Sequence, residues 1–259
     1  MVLRGVEHSD SNVRTDAVQA CYILVQEGKA DLQHAAAIFA ARLGDVVVNV
    51  RGASLTALER LSEGALSART PTHDVTISQE AMIAALLDAK IERTVDEDGG
   101  TPLFLAALLG CTTVVLGLLK AGAEVNKVNT KDGNTALILA VWFGHETVVA
   151  ALMQAGADVN HTNMTGSTAL MQASEQGHAT IVITLIQAGA EVDKTKDDGS
   201  WPLLLAAHQG HAAIVSVLLE AGAQRDKARH DDFCTAMLIA VQMGHEAVVA
   251  VLGAGTPAA

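Results

Sequence analysis

One short segment recurs through the C-terminal two-thirds of the chain. Thr101-Pro102-Leu103, Thr135-Ala136-Leu137, Thr168-Ala169-Leu170, Trp201-Pro202-Leu203 and Thr235-Ala236-Met237 follow one another at steps of 34, 33, 33 and 34 residues. A fixed period of this size restricts the fold to a stack of like units, each one piece of supersecondary structure. Nine residues after each start stands a glycine: Gly110, Gly144, Gly177, Gly210 and Gly244. Paired apolar residues follow it, as in Val148-Val149 with Leu152-Met153 and Ile181-Val182 with Leu185-Ile186, which is helical spacing. Four of the units then reach Ala-Gly-Ala, at 121–123, 155–157, 188–190 and 221–223, where glycine permits the left-handed conformation that ends a helix. Each unit therefore reads as helix, tight turn, helix, glycine stop and polar connector. No such helix pair buries its apolar face alone, so neighbours must stack, and about three repeats are needed for stability.

Composition agrees. Half of the 259 residues are hydrophobic while only 3% are aromatic, which suits closely packed short helices and an all-α fold. A formal charge of −12 repels phosphate backbones and anionic lipid, so neither nucleic acid nor a membrane surface is expected as a partner. Cys21, Cys111 and Cys234 are odd in number and far apart. They suggest neither a disulfide framework nor a CxxC metal site, and a reducing compartment fits best: the cytoplasm, with the nucleus open. The N-terminal residues show no apolar leader, and no stretch approaches 18 uninterrupted apolar residues, which argues against export and membrane spanning.

At this point the residues resemble a known family. Thr101-Pro102-Leu103-Phe104-Leu105-Ala106-Ala107, the later Ala155-Gly156-Ala157-Asp158-Val159-Asn160 and the period itself are similar to the ankyrin repeat and its TPLHxA signature. The resemblance covers residues 96–259 in five units and implies an ankyrin-repeat solenoid, with ligands along a concave face of connector tips and inner helices. There are departures. Phe104, Ile138, Met171, Leu204 and Leu238 replace the signature histidine, so the hydrogen bonds it makes between repeats in the family are expected to give way to apolar packing. In the last unit Gly253 replaces a leucine and the outer helix stays apolar. A terminal repeat should show a polar outer face, which points to a segment of a longer chain.

Upstream of Ser78 this signature is absent. His8-Ser9-Asp10-Ser11-Asn12-Val13-Arg14 and, further on, Asp45-Val46-Val47-Val48-Asn49-Val50-Arg51 each lead into an amphipathic helix. These residues resemble the HEAT repeat, in which an aspartate precedes a Val-Arg pair at the start of the second helix; a plain helical hairpin cap is the alternative. The expected helices are 12–26, 31–43 and 49–61. The expected organisation is a HEAT-like segment at 1–64, a connector containing Pro71 at 65–77, a capping half-repeat begun by an N-cap at Ser78 and running over 78–95, and five ankyrin repeats at 96–259.

No catalytic motif is present: GxSxG, HExxH and GxxxxGK[ST] are all missing, and Gly28-Lys29 lacks the glycine and hydroxyl of a phosphate cradle. No enzyme activity and no cofactor are expected. His145, His178, His211 and His245 recur with the repeat, but equivalent positions in stacked helices lie about 10 Å apart and cannot converge on one metal ion. Asp96-Glu97-Asp98-Gly99 lacks the bidentate glutamate of a calcium loop and reads as a solvated connector tip, as do Asp197-Asp198 and Asp231-Asp232.

The binding residues follow from the family's concave face, counted from each repeat glycine. They are Leu108 and Leu109; Lys131, Asp132, Asn134, Trp142 and Phe143; Met164, Thr165, Glu175 and Gln176; and Asp197, Asp198, His208 and Gln209, with Glu97, Asp98, Asp231, Asp232, Gln242 and Met243 at further matching positions. Trp142 and Phe143 stand out, because aromatic side chains are enriched among interface hot spots. Adjacent helical residues point about 100° apart, so the pair should leave apolar surface in solvent. Asn126 and Asn160 sit where the family can carry asparaginyl hydroxylation, but ordinary connector hydrogen bonds are sufficient to account for them. The expected activity is scaffolding: binding of a protein partner with basic residues around an apolar anchor. A regulatory repeat region of a larger enzyme or channel is the alternative.

Overall fold

The computed structural model describes residues 5, 7, 9–26, 32–43, 48–62, 99–229 and 233–254. Among them the chain forms thirteen helices and one isolated bridge, Ala228 to Thr235. The expected connector 65–77, the half-repeat 78–95 and residues 96–98, 231 and 232 lie outside the described residues. No described helix is long and apolar enough to cross a membrane. Two compact units divide at Lys131 and Asp132.

The first unit holds α1 (Ser11–Gln26), α2 (Leu32–Arg42), α3 (Val48–Ser62), α4 (Pro102–Leu109) and α5 (Thr112–Lys120). The first three begin and end within a residue of the expected bounds. The Asp10 carboxylate accepts from the Asn12 amide at 2.8 Å, opening α1 as an N-terminal aspartate should. α3 packs on α1 and α2 and also against α4 and α5, burying Val18, Phe39, Leu43, Leu55 and Leu58. Arg51 is buried as well, and its Nη1 donates to the Gly100 carbonyl at 3.3 Å.

The second unit holds four helix pairs: α6 (Ala136–Trp142) with α7 (Glu146–Gln154), α8 (Ala169–Gln176) with α9 (Ala179–Gln187), α10 (Pro202–Gln209) with α11 (Ala212–Glu220), and α12 (Ala236–Gln242) with α13 (Glu246–Gly253). Inner helices α6, α8, α10 and α12 pack in series, and so do outer helices α7, α9, α11 and α13. The threonine that opens the repeat is the N-cap. Thr135, Thr168 and Thr235 accept from the amides of Ile138, Met171 and Leu238 at 3.3, 3.3 and 3.2 Å, which satisfies a helix-start donor that has no partner inside the helix. Trp201 makes no such cap. It is fully buried instead, with the Lys227 ammonium 5.1 Å from its ring centroid, a cation over an aromatic face.

The repeats are joined by a different histidine from the signature one. Three histidines that follow a repeat glycine set their Nε2 on a carbonyl of the preceding repeat: His178 on Trp142 O at 3.3 Å, His211 on Glu175 O at 3.2 Å and His245 on His208 O at 2.9 Å. A carbonyl only accepts, so Nε2 is the donor. The positions where the signature histidine is missing are filled by Ile138, Met171 and Leu204, all buried. Apolar packing thus serves at those positions as expected, and the hydrogen bonds between repeats come from other residues.

The glycine beneath each of these rings, Gly144, Gly177 and Gly210, is held from two sides. Gly177 has φ +85°, and a Cβ built there would lie 2.8 Å from His211 Cε1. Gly156, in the Ala-Gly-Ala stop, has the same φ of +85° but nothing within 4 Å of that point. Gly156→Ala should therefore cost only the left-handed backbone term, about 1–2 kcal/mol, whereas Gly177→Ala should cost about 2–4 kcal/mol because the histidine must also shift. Urea unfolding of the two variants compares them directly; equal costs would remove the histidine from this account.

Candidate partner-binding face

In the second unit two rows of expected contact residues are set by the stacking itself. The first row is formed by the ends of the inner helices, where Trp142, Glu175 and His208 offer their carbonyls to the next repeat and thereby fix the spacing of those ends. Because the backbone is engaged, the side chains are left over. Trp142 is 45% and Phe143 52% exposed. The Phe143 ring stacks on the His145 imidazole, with centroids 6.2 Å apart and planes 17° from parallel. Gln176, His208 and Gln209 are exposed and Glu175 is half-buried.

The second row is the connector tips, tied to one another by main chain. The Met164 amide donates to Asp132 O at 2.9 Å, and the Asp197 amide to Thr165 O at 3.3 Å. Asp132, Met164, Thr165, Asp197 and Asp198 are exposed on these tips. Asn134 departs from the expectation of an open contact: it is buried, and its Oδ1 accepts from Asn163 Nδ2 at 3.0 Å. Asn163 in turn holds its own tip, accepting at Oδ1 from the amides of Thr165 and Ser167 at 3.0 Å each. The Thr165 hydroxyl also donates to Asn163 Oδ1 at 2.8 Å, so exposed tip side chains help to build the turn.

The tips carry acid. Asp198 pairs with Lys196 at 3.0 Å and accepts from the Ser200 amide at 2.9 Å. Burial alone would raise its carboxyl, but these bonds together with the Lys196 charge hold it below the ordinary value. Behind the tips, Lys227 donates to Asp193 O at 2.5 Å and to Thr195 Oγ1 at 2.8 Å. Burial lowers its ammonium from the ordinary value, with the Asp193 charge opposing. Of the expected residues in the first unit, Leu109 and Lys131 are exposed and Leu108 is half-buried.

Asn160 is a framework residue. Its Nδ2 donates to Gly189 O at 3.1 Å, and its Oδ1 accepts from the Glu191 amide at 2.9 Å, so one side chain clasps the next repeat from both sides. In the last pair, Leu238 and Val241 are 43% and 58% exposed, although the matching Ile138, Met171 and Leu204, and Val141, Ser174 and Ala207, are all buried. Phe233, at φ +55°, is also exposed. The burial of the earlier residues comes from the repeat that follows each of them, and no reading of an isolated unit could have separated Leu238 from Leu204.

The sequence model of one family, described as ankyrin repeats, matches the chain in three overlapping copies at residues 95–163, 118–196 and 170–256. No curated protein matches at a significant level.

The division between framework and free side chains is measurable. Asn160→Ala should lower stability by about 1–2 kcal/mol through the loss of two bridging hydrogen bonds. Trp142→Ala with Phe143→Ala should change it by no more than about 0.5 kcal/mol per site, because both rings are half in solvent. A reversed order in urea unfolding would place the aromatic pair in the framework.

Proposed function

The chain belongs to the ankyrin-repeat family, and on that premise we propose that it is a scaffold that binds a partner protein through the exposed side chains of its inner-helix ends and connector tips. Ankyrin repeats are in general protein-interaction modules, and the mechanism here is binding without chemistry. The observation that carries the reading is the exposure of Trp142 and Phe143 side by side in a chain where four of seven aromatic side chains are buried. Rigid aromatic rings on an interface bury much area at little entropic cost and act as anchors.

Met164, Thr165, Gln176 and Gln209 extend the contact, and Asp132, Asp197, Asp198 and Glu175 form its acidic rim. The fitting partner places basic residues around an apolar segment: the acids speed its encounter and the rings slow its release. Leu108, Leu109 and Lys131 are proposed contacts that belong to the first unit. The net charge of −12 disfavours nucleic acid, and three free thiols suit a reducing compartment such as the cytoplasm. We read α1 to α3 as a HEAT-like segment, on the support of the Asp10 cap and the buried Arg14 and Arg51.

The test is quantitative capture from cell extract by the wild-type chain and by the Trp142→Ala/Phe143→Ala variant. The expected result is loss of one specific protein, whose purified form then binds the variant at least about thirtyfold more weakly. Equal capture by both would reject the face.

A further inference from the structure

The first unit contains a groove of about 730 Å³, of whose lining only Leu108 and Leu109 are among the contacts proposed above. Three helices line it. α1 contributes Thr15, Gln19, Tyr22 and Ile23, α3 contributes residues from Gly52 to Arg60, and α4 contributes Leu105, Leu108 and Leu109. On α1 and α3 the lining residues recur every three to four positions over eight residues, so the walls are helix stripes about 12 Å long, two turns of a third helix. Tyr22 and Ala57 are buried at its base, while Ile23 and Leu109 stand 50% and 42% exposed along its edges.

Two features show what it is shaped for. Gly52 lies inside α3, where glycine weakens a helix relative to alanine. Its φ is not in the left-handed region and nothing stands within 4 Å of the point where a Cβ would be. Neither backbone conformation nor close packing asks for a glycine, and its consequence is open space in the groove. The second feature is charge. Among the lining residues Arg60 alone is charged at neutral pH, in a chain of net charge −12. Its guanidinium lies 6.0 Å from the Tyr22 ring centroid, which holds a cation beside a trough that is more apolar than polar, with Thr15, Gln19 and Thr56 also in its walls.

We propose that this groove docks an amphipathic helix of a partner protein, its apolar stripe between α1, α3 and α4 and a carboxylate side chain on Arg60. A helix fits better than a small amphiphile. Small-molecule sites enclose most of their ligand and meet it with buried, convergent polar groups, whereas this trough has half-exposed walls and its one charge at the edge, the arrangement of helix-in-groove recognition. The preferred charge of its occupant is the opposite of that proposed for the face carrying Trp142.

The probe is a labelled synthetic peptide with leucines at i, i+3, i+4 and i+7 and glutamates beside them, titrated by fluorescence anisotropy. The titrated protein is the full chain carrying Trp142→Ala and Phe143→Ala, so that the other face does not contribute. Saturable binding is expected. Arg60→Glu should weaken it about tenfold and shift the preference to a lysine-flanked peptide. Gly52→Phe should fill the trough and weaken binding at least about tenfold, with helicity by circular dichroism unchanged. Absence of saturable binding, or binding that ignores either substitution, overturns the proposal. Dodecanoate that binds in place of the peptide with the same sensitivities would assign the groove to a small amphiphile and overturn it equally.

Discussion

The interface between successive repeats is the constraint on which the second unit depends. An eight-residue helix has no stability of its own in water, and each outer helix buries only one side, as Val148, Val149 and Leu152 do in α7. The next repeat must supply the rest. Two devices make that contact specific as well as apolar, the histidine on the preceding carbonyl and the Asn160 side chain that clasps the following turn, while an N-cap threonine fixes where α6, α8 and α12 begin. The left-handed glycine beneath the histidine ring allows the close approach. Removing the histidine or the asparagine leaves a polar group without its partner at a joint between repeats.

This allocation also explains why a binding surface is available at all. The carbonyls of Trp142, Glu175 and His208 are consumed by the framework, so these residues are positioned by their backbone and their side chains are not needed for stability. A stack built in this way can vary those side chains while its geometry stays fixed, and it presents them on a rigid support, which lowers the entropic cost of association. The acidic tips follow the same logic. Asn163, Asn134 and the Thr165 hydroxyl build the turn, and Asp132 and Met164 stand exposed on it.

Much of this was legible in the sequence because the relevant information is local or periodic. The repeat starts, the left-handed glycines and the bounds of α1 to α3 all follow from short-range patterns. The pairing of His178 with Trp142 was not legible, since a histidine thirty-six positions away leaves no mark on either segment. Asn134 looked like a tip residue by its offset from the glycine, yet it turns inward to meet Asn163. Leu238 and Val241 match buried positions letter for letter, and only the stacking order makes them exposed. Gly52 gave no signal beyond its unfavourable place in a helix, because the space it opens is bounded by α1 and α4.

The most direct test of nearest-neighbour stacking is native-state amide hydrogen exchange across the outer helices of the second unit. α9 is flanked by α7 and α11, whereas α13 has only α11 beside it among the described residues. In a quasi-one-dimensional stack, protection follows the number of neighbours. The amides of Val182 and Leu185 should therefore exchange at least about tenfold more slowly than those of Val249 and Leu252. Uniform protection along the four outer helices, or the greatest protection in α13, would contradict the account.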